Sequence, residues 1–141
     1  KGLGAPVGSV LLGSKSFIQK ARRIRKVFGG GMRQAGYLAA AGIYALDNHV
    51  SRLTEDHIKA KVLAETLQNC SFVQSIQPVD TNIVIFRLVD QISEKQFLEK
   101  LAAQNVLALD FGPQSIRLVT HLDFTDEMLD HTVRVLRNLN F

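Results

Sequence analysis

The rhythm of apolar and polar positions changes near residue 70. Between Met32 and Asn69 the apolar residues recur at helical spacing: Ala35, Leu38, Ala39 and Gly42 stand at i, i+3, i+4 and i+7, and Ala60, Leu63, Ala64 and Leu67 repeat the pattern. No proline interrupts this run, and its length predicts a break between Asp47 and Thr54, where Asn48, Ser51 and Thr54 could each cap a new turn. The small residues Ala39, Ala40, Ala41 and Gly42 would let the first helix approach a neighbour closely, which places it in an interior or a subunit contact. Ahead of this run, residues 2–8 have loop composition, and the apolar stretch Ser9 to Leu12, bounded by Gly8 and Gly13, predicts a short strand. A basic helix follows from about Ser16 to Phe28, with Phe17, Ile18, Ala21, Ile24 and Phe28 near one face, and stops at Gly29, Gly30 and Gly31.

After Cys70 short strand patterns alternate with helical ones. Val73 to Ile76 and Asn82 to Leu88 predict strands, the second nearly all apolar and so expected to be covered on both faces. Ser93 to Gln96 has the form of a capping box and opens a helix with Leu98, Leu101 and Ala102 inward. Val106 to Leu109 and Ser115 to Thr120 predict two more strands, with turn chemistry at Asp110 to Pro113 between them. A last helix is capped by Thr125, with Asp126 and Glu127 in its first turn, Arg134 and Arg137 in its last, and Leu129, Thr132, Val133 and Leu136 on one face. The fold class is therefore α/β, with a small α+β domain at residues 71–141, linking helices at 32–70, and a front segment at 1–31.

Composition narrows the function. With 141 residues, 46% of them apolar and 21% charged, the chain is globular and too apolar to be disordered. The longest stretch without a polar residue, Tyr37 to Leu46, is far too short to span a bilayer, so no membrane partner is expected. One cysteine, Cys70, excludes an internal disulfide framework and suits a reducing compartment, hence a cytoplasmic location. Charge is unevenly placed: residues 1–46 hold eight Lys and Arg and no acid, while residues 47–141 hold nine against thirteen Asp and Glu. The front is thus a localised positive field of the kind that receives phosphate or another anion. The chain opens on Lys1 rather than methionine and without the apolar core of a signal peptide, which suggests the rear part of something longer.

Most motifs dissolve on inspection. Gly2, Gly4 and Gly8 miss the dinucleotide spacing by one residue, and Lys15 arrives one place late for a phosphate loop after Gly8 and Gly13. His49, His57, His121 and His131 lack metal-site spacing. The seven basic residues from Lys15 to Arg33 lack interleaved aromatics for stacking on bases, so nucleic acid is not an expected partner. Arg117 is more informative. Ile116 and Leu118 point to one side of its strand, so Arg117 points to the other, within apolar flanks. A guanidinium held there needs a partner: an internal Asp or Glu, or the carboxylate of a ligand gripped through two parallel hydrogen bonds.

Several segments together carry a resemblance: Lys1-Gly-Leu-Gly-Ala-Pro-Val-Gly-Ser9, Gly29-Gly-Gly-Met-Arg-Gln34, Ala39-Ala-Ala-Gly-Ile-Tyr-Ala-Leu46, Glu55-Asp-His57, Thr81-Asn82 and Ile116-Arg-Leu-Val-Thr-His-Leu-Asp123. In that order and spacing the chain resembles the C-terminal part of the low-specificity L-threonine aldolases, enzymes of the aspartate aminotransferase fold type (fold type I) that use pyridoxal 5'-phosphate. The resemblance implies retro-aldol cleavage of L-threonine and L-allo-threonine to glycine and acetaldehyde. It makes Lys1 the lysine that carries the cofactor, Arg33 a ligand of the cofactor phosphate, Arg117 the grip on the substrate α-carboxylate, and Lys26 a basic residue near the substrate. The ring-stacking histidine, the acid paired with the pyridine nitrogen and the main phosphate loop would lie upstream of Lys1. The implied partners are therefore that missing N-terminal part, further copies of the enzyme in a dimer of dimers, and a small amino-acid substrate. The fragment alone would be inactive. Two other readings stand beside this one: a non-catalytic small or assembly domain of another such enzyme, and a basic module that binds polyanions.

Overall fold

The computed structural model describes residues 2–141, which divide into two compact units, Leu3–Val50 and Ser51–Phe141.

The front unit contains two helices. α1 spans Lys15–Val27; Ser14 caps it by accepting a hydrogen bond from the Phe17 N–H at 3.3 Å, and Arg25 and Lys26 in its last turn sit well with the helix dipole. Gly29, at φ +83°, ends the helix in a conformation that glycine adopts without penalty. α2 spans Gly36–Asn48 and has no charged residue before Asp47. Ser9 to Leu12 forms no strand: it pairs with no other strand among the described residues, and Val10, Leu11 and Leu12 are exposed. An apolar run bounded by glycines cannot by itself satisfy its backbone groups, so the expected strand does not form.

The second unit is a sheet with helices on one side. α3 (Leu53–Gln68) follows the break expected between the two helical stretches, but none of the expected residues caps it; the helix starts from Arg52, whose side chain forks onto Asp56 instead. β1 (Val73–Ile76), β2 (Ile83–Leu88), β3 (Leu109–Asp110) and β4 (Ser115–Val119) make an antiparallel sheet in the order β1-β2-β4-β3. α4 (Glu94–Ala103) and α5 (Asp126–Asn138) are capped by Ser93 and Thr125. The core joins Ala60, Leu63 and Leu67 of α3, Val84, Phe86 and Leu88 of β2, Phe97 and Leu101 of α4, Ile116 and Leu118 of β4, and Leu136 of α5. Period-2 alternation puts every buried strand residue on the helix side.

Three expectations need correcting here. β2 is covered on one face only: Val84, Phe86 and Leu88 are buried, while Ile83 and Arg87 are exposed and Ile85 is half-buried, because all the helices of this unit lie on the same side. The strand expected at Val106 to Leu109 shrinks to Leu109–Asp110, since Val106 turns into the core while its backbone N–H closes the end of α4 on Leu101 O. In α4 the buried pair is Phe97 and Leu101, one turn apart, which leaves Ala102 exposed. Among the described residues no helix is long and apolar enough to cross a membrane.

Candidate active site

Arg117 stands in the middle of β4, opposite Ile85 of β2 on one side and Leu109 of β3 on the other. Ile116 and Leu118 on either side of it are buried against the helices, so Arg117 projects from the uncovered face. None of the ion pairs among the described residues includes it: these join Arg52 to Asp56, Lys59 to Asp126, Arg87 to Asp90 and Lys95 to Glu99. The Arg117 Nε is buried and has no hydrogen-bond partner. Of the two partners the sequence left open, an internal carboxylate is thereby excluded within the described residues. A buried guanidinium N–H without an acceptor costs on the order of 1–3 kcal/mol, a cost that a carboxylate ligand would remove.

The end of β4 is held by a buried network. Thr120 donates through Oγ1 to the Asp56 carbonyl at 2.7 Å and through its N–H to Asn82 O at 3.0 Å, and Asn82 Nδ2 returns a bond to Thr120 O at 2.6 Å. Asp56 is itself fully buried, its carboxylate taking both arms of Arg52 at 2.5 and 3.1 Å. The Arg52 guanidinium is held protonated above its ordinary range, chiefly by its hydrogen bonds to Asp56. Strand register at Arg117 is thus pinned to the start of α3 and the start of β2. His121, the histidine nearest this strand end, takes the Asp123 N–H on Nδ1 at 3.2 Å, and burial pushes the Cys70 thiol up, disfavouring its thiolate.

The remaining predicted site residues belong to the front unit. Lys26 lies in the last turn of α1, and its ammonium folds over the glycine turn: a Cβ on Gly31 would stand 2.8 Å from Lys26 Nζ. Arg33 follows that turn and is exposed. Lys26 and Arg33 therefore flank one glycine turn in a segment without acids, a donor set whose chemistry fits a phosphate. Lys1 lies outside the described residues. Sequence reasoning passed over Phe111, whose ring stands 5.3 Å from the Arg117 guanidinium carbon, and Gln114, which ties their turn to α4. The alternation Leu109, Phe111 on a strand beside Arg117 was the available signal, hidden because Asp110 to Pro113 reads as a plain turn.

A sheet covered by helices on one face and presenting a mid-strand arginine on the other defines a class. The same fold occurs in a cystine C-S lyase solved with its product cysteine persulfide (TM-score 0.58, 18% identity, covering 75% of this chain and 29% of that one) and in the ornithine aminotransferase of Plasmodium yoelii (TM-score 0.56, 17% identity, 71% and 28%). Another form of that lyase carries glycine covalently linked to its PLP cofactor. The fold is that of the fold-type I pyridoxal-phosphate enzymes. Within it, the Beta-eliminating lyase family matches residues 1–91, and the chain belongs to that family. Over 129 residues it is 47% identical to the low specificity L-threonine aldolase of Escherichia coli K12, covering 92% of this chain and 37% of the relative. It is 39% identical over 136 residues to low-specificity L-threonine aldolase 1 of Arabidopsis thaliana, covering 94% and 38%. The chain spans somewhat over a third of the length of these curated relatives.

Proposed function

We propose that this chain is the C-terminal part of a pyridoxal-phosphate-dependent aldolase that cleaves L-threonine and L-allo-threonine between Cα and Cβ, giving glycine and acetaldehyde. The observation that carries this reading is the buried, unpartnered Nε of Arg117 on the uncovered sheet face; the names of the relatives supply the substrate. In this reading residues 1–31 end the cofactor domain, 32–70 link, and 71–141 form the small domain. The apolar α2, exposed over most of its length, packs against the rest of the enzyme or a neighbouring subunit of a dimer of dimers.

Arg117 binds the substrate α-carboxylate through its fork. Because its backbone is locked in the ladder between Ile85 and Leu109, the grip also sets the position of Cα. The Phe111 ring beside the guanidinium and the burial of its Nε reduce competition from water, which strengthens the charge-assisted bonds. Arg33 offers a cation to the cofactor phosphate, Lys26 stands as a basic residue near the substrate, and Lys1 is the residue that carries the cofactor. When bound, pyridoxal phosphate supplies the electron sink that makes breaking the Cα–Cβ bond feasible. The 141 residues alone are inactive, because the groups that pair with the cofactor ring lie outside them.

The test is Arg117→Lys in the assembled enzyme, with kcat, KM and melting temperature measured side by side. Lysine keeps the charge and loses the fork, so KM should rise about tenfold or more, with a further loss in kcat from misplaced substrate, at nearly unchanged stability. Ordinary kinetics with a lowered melting temperature would make Arg117 scaffolding instead.

A further inference from the structure

Alternation along β3 continues past its last ladder residue. Leu109 stands opposite Arg117 and Asp110 opposite Ile116, and the Phe111 N–H then reaches Ser115 O at 2.8 Å, so Leu109 and Phe111 fall on the Arg117 side of the sheet. Phe111 is the diagonal cross-strand neighbour of Arg117, a spacing that aromatic and long side chains can bridge. Its ring centroid lies 5.3 Å from the guanidinium carbon, within cation–π range. Phe111 is nevertheless 48% exposed and absent from the core, so core packing does not account for its position.

The turn that presents Phe111 is built to hold still. Gly112 has φ +96° and Gln114 φ +57°; for a residue with a side chain the second is an uncommon conformation that the surroundings must enforce. They do so at four points. The Gln114 N–H donates to the Glu94 carboxylate at 2.5 Å, its side-chain amide donates to Val89 O at 3.1 Å and Ile92 O at 3.2 Å, and its carbonyl accepts the Leu88 N–H at 2.7 Å. Glu94 is in the first turn of α4, so the helix that packs on the far side of the sheet sets the turn on this side.

We infer that Phe111 is a positioning residue for Arg117: its ring, clamped by the Glu94–Gln114 turn, fixes the plane of the guanidinium so that the fork meets a carboxylate already oriented. The inference rests on the carboxylate reading of Arg117 given above. An ungoverned arginine side chain samples many rotamers and must be ordered at the moment of binding, whereas an aromatic ring held under its guanidinium does that ordering in advance. Loss of the ring should therefore weaken the grip on the amino acid while sparing the chemistry that follows.

Phe111→Leu in the assembled enzyme should raise KM about three- to tenfold and weaken glycine affinity, measured by calorimetry, by a similar factor, with kcat changed less than twofold. Phe111→Tyr keeps the ring face and should restore both. In an Arg117→Lys background, where no planar fork remains to be oriented, Phe111→Leu should add less than twofold. If Arg117→Lys alone leaves KM and glycine affinity unchanged, the carboxylate reading fails and this inference with it. If Arg117→Lys weakens both but Phe111→Leu is silent, acts equally in the Arg117→Lys background, or is not rescued by tyrosine, only the role of Phe111 is overturned.

Discussion

The two units of this chain treat similar apolar residues in opposite ways. In Ser51–Phe141, Phe72, Phe86 and Phe97 are within 2% of complete burial, and Phe97 meets the other two rings in tilted and edge-to-face contacts. In Leu3–Val50, Phe28 is 86% exposed, Tyr37 and Val27 are nearly as open, and only Ala45 is buried. The difference lies in the supply of layers rather than in the helices themselves. A stable core needs two packed layers, and the second unit contains both a sheet and the helices that cover it. The front unit contains two helices, of which only α1 has a side-chain cap, and no described sheet for them to cover. α2, apolar nearly all round, has the composition of a helix buried on every side. The front thus carries an exposed apolar surface, which supports the proposal that its counterpart lies in other parts of the enzyme, as does a chain spanning somewhat over a third of its relatives' length.

The largest effect that would break this comparison is on stability. Phe97→Ala removes a fully buried ring from the centre of the second unit and should cost about 3–5 kcal/mol. Phe28→Ala should change the stability of the 141-residue chain by no more than about 0.5 kcal/mol, because its ring is already in water. Urea unfolding of both variants beside the parent chain measures the contrast. A cost at Phe28 comparable to that at Phe97 would mean that the front packs within this chain after all.

A smaller effect tests the charge of the front unit. In the assembled enzyme, Arg33→Ala should weaken pyridoxal phosphate binding about tenfold or more, the worth of one charge-assisted hydrogen bond, while the affinity for threonine changes less. Cofactor titration followed by absorbance gives the dissociation constant. An unchanged value would remove Arg33 from the phosphate site and leave the basic front as a solvated surface.

Much of the second unit was legible because its signals are local. Ser93 and Thr125 cap the helices they were expected to cap, since a side-chain oxygen needs only the N–H three residues on. The side of the sheet from which Arg117 projects was legible from alternation alone. What escaped depended on partners distant in sequence. Asp56 lies in the first turn of α3, where pattern gives an acid no buried role, yet it is fully buried, paired with Arg52 beside it and with its carbonyl bonded by Thr120 from 64 residues away. The strand expected at Ser9 to Leu12 failed for the converse reason, because apolar composition does not supply a neighbouring strand. Phe111 lay hidden because turn composition masks a side chain whose direction is set by the ladder beside it.

The smallest effect concerns the clamp on that turn, and its direction follows from ionisation. The Glu94 carboxyl is held below its usual range, first by its own backbone N–H at the start of α4 and then by the Gln114 N–H. A group whose folded value is depressed stabilises the fold above its unfolded value of about 4.3 and loses that contribution as pH falls through the folded value. Stability of the second unit should therefore decline below about pH 4.3 in part through this residue. Glu127 is depressed as well, mainly by the Thr125 hydroxyl, so the parent chain alone does not isolate the clamp. Comparing urea midpoints of the parent and Glu94→Gln between about pH 3 and pH 6 does. Glutamine can still accept a hydrogen bond from Gln114 but carries no charge, so the parent should be the more stable of the two at pH 6 and the gap should close as pH falls. A gap that stays constant with pH would show that the charge on Glu94 contributes nothing to holding the turn, and the ordering of Phe111 over Arg117 would then rest on the neutral hydrogen bonds of Gln114 alone.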